Sequence, residues 1–228
     1  REEKGRTPTY RTLLLILLSE MVITLTALFL AFKGIERPRV YSILQVTART
    51  FNGIPVWFFV VLFFMAIIYS PLPSELVNGL KGTGASTLPY FVFPVLSVLL
   101  VGVWGLAEGM AVIMREEFSQ PYVEAKRAMG LPEERVRKGV LRAVAVPLMY
   151  LWLQHFVEVQ TPVLVVDYLF NLGGLGQLLG RSLIITPDNV NFYPMTFTFV
   201  VTVLIVLNFS ASIAAEVLSN IIEPREGP

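Results

Sequence analysis

Cysteine is absent from the 228 residues, and histidine occurs once. The first absence excludes disulfides and thiolate metal sites, and the second excludes a histidine cluster. Charge is also scarce. Lys, Arg, Asp and Glu make up 15% of the chain, against about 25% in an average soluble protein. A formal net charge of +1 leaves no polyelectrolyte field, so nucleic acid is not an expected partner. No signal-peptide pattern opens the chain. There is no Ser-His-Asp set and no paired-carboxylate arrangement, and the sole His155 has no nucleophile beside it. These gaps disfavour an intramembrane enzyme and predict no bound cofactor.

Apolar residues are abundant: 54% of the chain, with a mean hydropathy of +0.65. A helix needs about 20 apolar residues to cross a bilayer. Five segments qualify: 12–32, 51–69, 88–114, 140–166 and 193–218. The second is short, and the fourth is diluted by Gln154, His155, Glu158 and Gln160. Five such segments exceed what one soluble core would use, so the pattern predicts an all-α, multi-pass transmembrane helical bundle. A single domain over residues 1–228 is expected.

Lys and Arg are spread unevenly about these spans. Twelve fall on one side, including Lys33, Arg37, Arg39, Arg49, the group from Arg115 to Arg142, and Arg225. Six fall on the other: Arg1, Lys4, Arg6, Arg11, Lys81 and Arg181. The richer side is expected to be cytoplasmic. This places the amino terminus outside and the carboxyl terminus inside. The chain opens on Arg1, not Met, and an upstream helix absent from it would explain an outside start. Tyr10, Trp57, Tyr69, Tyr90 and Tyr193 at the span ends read as an interfacial belt.

Six of the eighteen Lys and Arg residues lie between Tyr122 and Leu148. Ser119 or Gln120 is placed to cap a helix whose first residue is Pro121, where a missing N–H costs nothing. That helix is expected to run to Met129. Gly130 suits the left-handed position that ends helices, and Pro132 blocks continuation. Pro132, Glu133 and Glu134 suit the start of a second helix. Tyr122, Ala125, Ala128 and Met129 recur at helical spacing as an apolar or small face. Two readings stay open on this evidence. The short helix inserts into a groove on a partner, or it is a solvated loop that follows the charge rule.

Gln154 and Glu158 share one face of the fourth span, with His155 beside Glu158. They and Gln160 either line a polar pathway or hydrogen-bond neighbouring helices. A metal held by His155 and Glu158 would lack further histidine ligands. Glu20 and Glu108 read as structural acids, with Glu108 about two turns from Arg115. The glycines from Gly173 to Gly180 lack the spacing of a phosphate loop and predict an outer loop or re-entrant turn.

Glu124-Ala125-Lys126, Gly130 and Pro147 resemble, in spacing, the EAA loop of ABC importer permeases. Lys126 replaces an Ala and Val146 replaces a Leu, variations similar to the dipeptide, oligopeptide and nickel branch. Three further stretches resemble that branch. They are Phe51-Asn-Gly-Ile-Pro-Val-Trp-Phe, Tyr168-Leu-Phe-Asn-Leu-Gly-Gly-Leu-Gly-Gln-Leu-Leu with Gly173 in place of Pro, and Glu223-Pro224-Arg225. The resemblance implies that the short helix is a coupling helix that docks in a cleft of a separate ATPase. Tyr122, Glu124, Ala125, Ala128, Gly130 and Pro147 would serve that coupling. Phe170, Asn171, Gly174 and Gly176 would form an outer gate loop near the binding-protein face. It implies a second permease subunit, homologous or identical, two ATPase subunits that hold the ATP, and an extracytoplasmic substrate-binding protein. The setting would be the cytoplasmic (inner) membrane, and the cargo peptides, with oligosaccharides or nickel as alternatives. A membrane assembly or signalling subunit that transports nothing is the reading from another class.

Overall fold

The computed structural model describes residues 8–69, 91–186 and 189–222. Lys81, Tyr90, the start of the third predicted span and Glu223-Pro224-Arg225 lie outside them, as do Arg1, Lys4 and Arg6. Nine helices and one short hairpin are seen among the described residues. They are α1 (Pro8–Glu36), α2 (Pro38–Phe51), α3 (Val56–Tyr69), α4 (Val92–Phe118), α5 (Pro121–Ala128), α6 (Glu133–Ala143), α7 (Ala145–Leu169) and α8 (Leu175–Ser182). Strands β1 (Leu183–Thr186) and β2 (Asn189–Phe192) and helix α9 (Pro194–Ile222) complete the order.

The protein is an all-α multi-pass membrane fold. Among the described residues α1, α4 and α9 are long and apolar enough to cross a bilayer. Two bent pairs, α2 with α3 and α6 with α7, raise the number to five if each is one span. The second expected span therefore does not start at Phe51. Phe51 ends α2, and the chain turns by 91° before α3. The reason is local: Asn52 and Gly53 are followed by Ile54 and Pro55, and proline pushes its predecessor out of helical geometry. The fourth span is likewise divided by a bend of 48° between α6 and α7. Pro147 stands in the first turn of α7, where its missing N–H leaves the Ala143 carbonyl at the bend without a helical donor.

Among the described residues the hairpin is the one departure from the all-helical expectation. Leu183 pairs with Phe192 and Thr186 with Asn189, antiparallel. Ile184, Ile185 and Thr186 are β-branched, and such side chains fit a pleat better than a helix.

The chain divides into two compact units. One comprises residues 1–23, 53–102 and 157–209, the other 24–52, 103–156 and 210–228. Leu15, Val60, Val98, Val163, Val166 and Leu175 are buried in the first. The second is built on small residues: Ala27, Ala31, Ala48, Ala107 and Ala111 are fully buried. Small side chains let helix backbones approach closely, which is how bundles gain contact without a hydrophobic drive in lipid. A Cβ on Gly34 would sit 3.7 Å from the Ala111 Cβ, and one on Gly109 would meet Leu151 at 2.9 Å. Helix α9 differs: only 6% of its most apolar window is buried, so lipid or another chain must cover it.

Candidate functional site

The charged stretch folds as two helices about one turn. Helix α5 starts at Pro121 after Gln120, in extended geometry, with no side-chain cap. Ser119 donates back to the Glu116 carbonyl at 2.7 Å. The Gly130 amide donates to the Arg127 carbonyl and the Leu131 amide to the Lys126 carbonyl, at 2.9 and 3.3 Å. With Gly130 at φ +76° this is a Schellman ending. Pro132 then precedes α6, with Glu133 and Glu134 in its first turn.

What seats α5 is Val123, which the charge pattern conceals. It is fully buried with Val136 and Val140 of α6, and Phe118 and Tyr122 pack against this cluster. Burying one such side chain stabilises by roughly 1.5–3 kcal/mol. Tyr122 therefore does not belong to an outward apolar face. It turns to the cluster, donates to Glu117 at 2.5 Å and carries Lys126 over its ring at 4.6 Å. Burial, then the bond to Glu117, pushes its hydroxyl up to about 12, so it stays a neutral donor. Glu124, Ala125, Ala128 and Met129 are exposed, Met129 by 71%. Arg127 bridges the turn to Glu133 through two bonds of 3.1 and 2.8 Å. Both groups are solvated, so this pair sets geometry more than stability. Behind the turn lies a cleft of about 290 Å³ lined by Phe32, Ile35, Glu36, Phe118, Arg127, Glu133 and Arg137.

Burial divides the polar group of α7. Gln154 and Glu158 are exposed, whereas His155 and Gln160 are buried. Gln160 donates to Asn208 of α9, a helix–helix bond. The exposed face of α7 runs through Tyr150, Gln154, Val157, Glu158 and Thr161. Among the described residues no group of three His, Cys, Asp or Glu is placed to hold a metal. Glu20 is buried and Glu108 half-buried; Arg115 lies over the Tyr41 ring at 4.1 Å instead of pairing with Glu108.

The glycine loop is held by a dense set of buried hydrogen bonds. Helix α7 also ends in a Schellman turn: the Asn171 amide donates to Tyr168 and the Leu172 amide to Asp167, with Asn171 at φ 53°. Phe170, Leu172, Gly174, Leu175 and Gly176 are buried, and Asn171 is exposed. At the centre stands Asp167, fully buried. Its Oδ1 accepts the Gly174 amide at 3.0 Å. Its Oδ2 accepts the Gly176 amide at 2.7 Å and the Thr12 hydroxyl at 2.9 Å. Thr12 in turn accepts the Leu175 amide at 2.7 Å, and Arg11 donates to the Leu172 carbonyl at 3.0 Å. A carboxylate at the start of α8 also matches the positive end of that helix. A Cβ on Gly174 would overlap Thr12 and Asp167, and one on Gly176 would overlap the Leu164 carbonyl. The glycines were legible; Asp167, Thr12 and Arg11 were not. The one available signal was an acid at the end of an apolar run.

The sequence model of a family described as "Binding-protein-dependent transport system inner membrane component" matches residues 23–225. That is most of the chain, and the chain belongs to this family. No curated protein matches it.

Proposed function

We propose that this member of the binding-protein-dependent permease family carries peptides, with α5 as the helix that receives motion from a separate ATPase. The family makes the chain the membrane component of an importer, which works with ATPase and substrate-binding partners. The observation that carries the finer reading is the α5–α6 hairpin. Val123, the one buried residue of α5, leaves Glu124, Ala125, Ala128 and Met129 exposed to another surface. A short helix with a small-residue face suits a partner's groove, and the Gly130 turn fixes its direction.

The Lys and Arg distribution supports a cytoplasmic α5 and an extracytoplasmic glycine loop. Peptide cargo rests on the resemblance of the 51–58 and 168–179 stretches to the peptide and nickel branch. Gln154 and Glu158 are the candidates for the pathway wall, since they remain exposed on one face of α7. His155 and Gln160 are buried within the chain, so the proposal rests on the other two. The test is uptake by vesicles holding this chain, its partner permease, the ATPase pair and the binding protein. ATP-dependent accumulation of labelled peptides is expected, with Glu158→Ala altering peptide preference but not ATPase assembly. Accumulation of oligosaccharides or nickel instead would overturn the assigned cargo.

A further inference from the structure

The glycines predict an outer loop or re-entrant turn, and the hydrogen bonds of that loop tie it to another helix. Three successive amides, from Gly174, Leu175 and Gly176, end on two side-chain groups, the Asp167 carboxylate and the Thr12 hydroxyl. Those two groups bond to each other across 155 residues of sequence. Asp167 and Thr12 are both fully buried, so water does not compete for these bonds. Arg11, one residue before Thr12, holds the Leu172 carbonyl as well. The space is closed to any side chain at Gly174 or Gly176. Backbone held in this way moves with what holds it.

We propose that Asp167 is a positioning residue that, with Thr12, latches the glycine loop and the start of α8 onto the first turns of α1. The loop then moves with that end of α1 and does not swing as a separate flap. The consequence for transport rests on the reading of this loop as the face that meets the binding protein. A latched loop presents a fixed surface to that protein, and an unlatched one must be ordered at each encounter, which weakens productive docking.

Two near-isosteric substitutions test this. Asp167→Asn keeps the volume but replaces one acceptor oxygen with a donor, leaving at least one backbone amide facing another N–H. Thr12→Val removes the hydroxyl at constant shape, and Thr12→Ser retains it. Bonds to charged groups are the stronger ones, so amide exchange at residues 174–176 should rise at least about tenfold in Asp167→Asn and Thr12→Val. Thr12→Ser should exchange near the wild-type rate. Measured in the whole reconstituted transporter, the concentration of binding protein that half-saturates ATPase stimulation should rise in the same two variants. Basal ATPase activity should stay unchanged. Unaltered exchange in both variants would overturn the latch. If Asp167→Asn does not assemble, Thr12→Val decides alone. Faster exchange with unchanged stimulation would uphold the latch and overturn the binding-protein reading of the loop.

Discussion

Gly130 and Asp167 show what single residues do here. Gly130 sits at φ +76° with open space around the position of a Cβ. The constraint is backbone, not packing: a residue with a Cβ pays roughly 1–2 kcal/mol in the left-handed region. A β-branched side chain is stiffer still. Gly130→Val should therefore misdirect α5 without disturbing insertion. The expected phenotype is normal membrane yield with weakened ATPase co-purification, or ATP hydrolysis no longer linked to uptake. Normal uptake with normal ATPase binding would refute this account of the turn. Gly130 was legible because Pro132 follows it and an apolar-spaced helix precedes it. Asp167 was not legible, because its partner Thr12 lies 155 positions away. Sequence periodicity carries no information about such pairs. Val123 was missed for another reason: a lone valine between tyrosine and glutamate has no pattern, and only the facing Val136 and Val140 give it a role.

At the scale of elements, the helix pair α5–α6 followed from its punctuation. Pro121, Gly130 and Pro132 fall where the helices start and stop. The interior of the apolar segments was less readable. Apolar patterning marked the second span from Phe51 and left hidden the helix over 38–51 that precedes it across a 91° turn. The β1–β2 hairpin was hidden similarly, because short β-branched runs do not separate strand from buried helix. If α5 docks through its exposed face, bulk on that face should block the contact. Ala128 is exposed and lies on a helix, where tryptophan is tolerated. Ala128→Trp should leave expression and insertion unchanged and reduce the ATPase recovered with the permease at least tenfold. Equal recovery would show that this face is not the docking surface.

Among the described residues the molecule consists mainly of apolar helices, with the charged α5–α6 hairpin between two of them. Its all-α membrane class was legible in the composition, since three to five spans of this kind leave little else to build. Side-chain placement within the spans was not: the four polar residues of α7 looked like one cluster, and burial divides them into two exposed and two buried. Orientation rests on the Lys and Arg asymmetry and is open to direct measurement. A cysteine at Arg127 should react with an impermeant thiol reagent only from the cytoplasmic side, and one at Gln177 only from outside. The reverse labelling would invert the topology.

The proposed contact between α5 and the ATPase is open to direct measurement. The chain contains no cysteine, so a single introduced thiol reports from one place only. The decisive measurement is cross-linking from Ala128→Cys in membranes that hold the assembled transporter, using a short thiol-to-amine reagent. The expected product joins this chain to the ATPase subunit and is lost when Gly130→Val is added. Failure to reach the ATPase in a transporter that still takes up substrate, or cross-linking to the binding protein instead, would contradict the proposed contact.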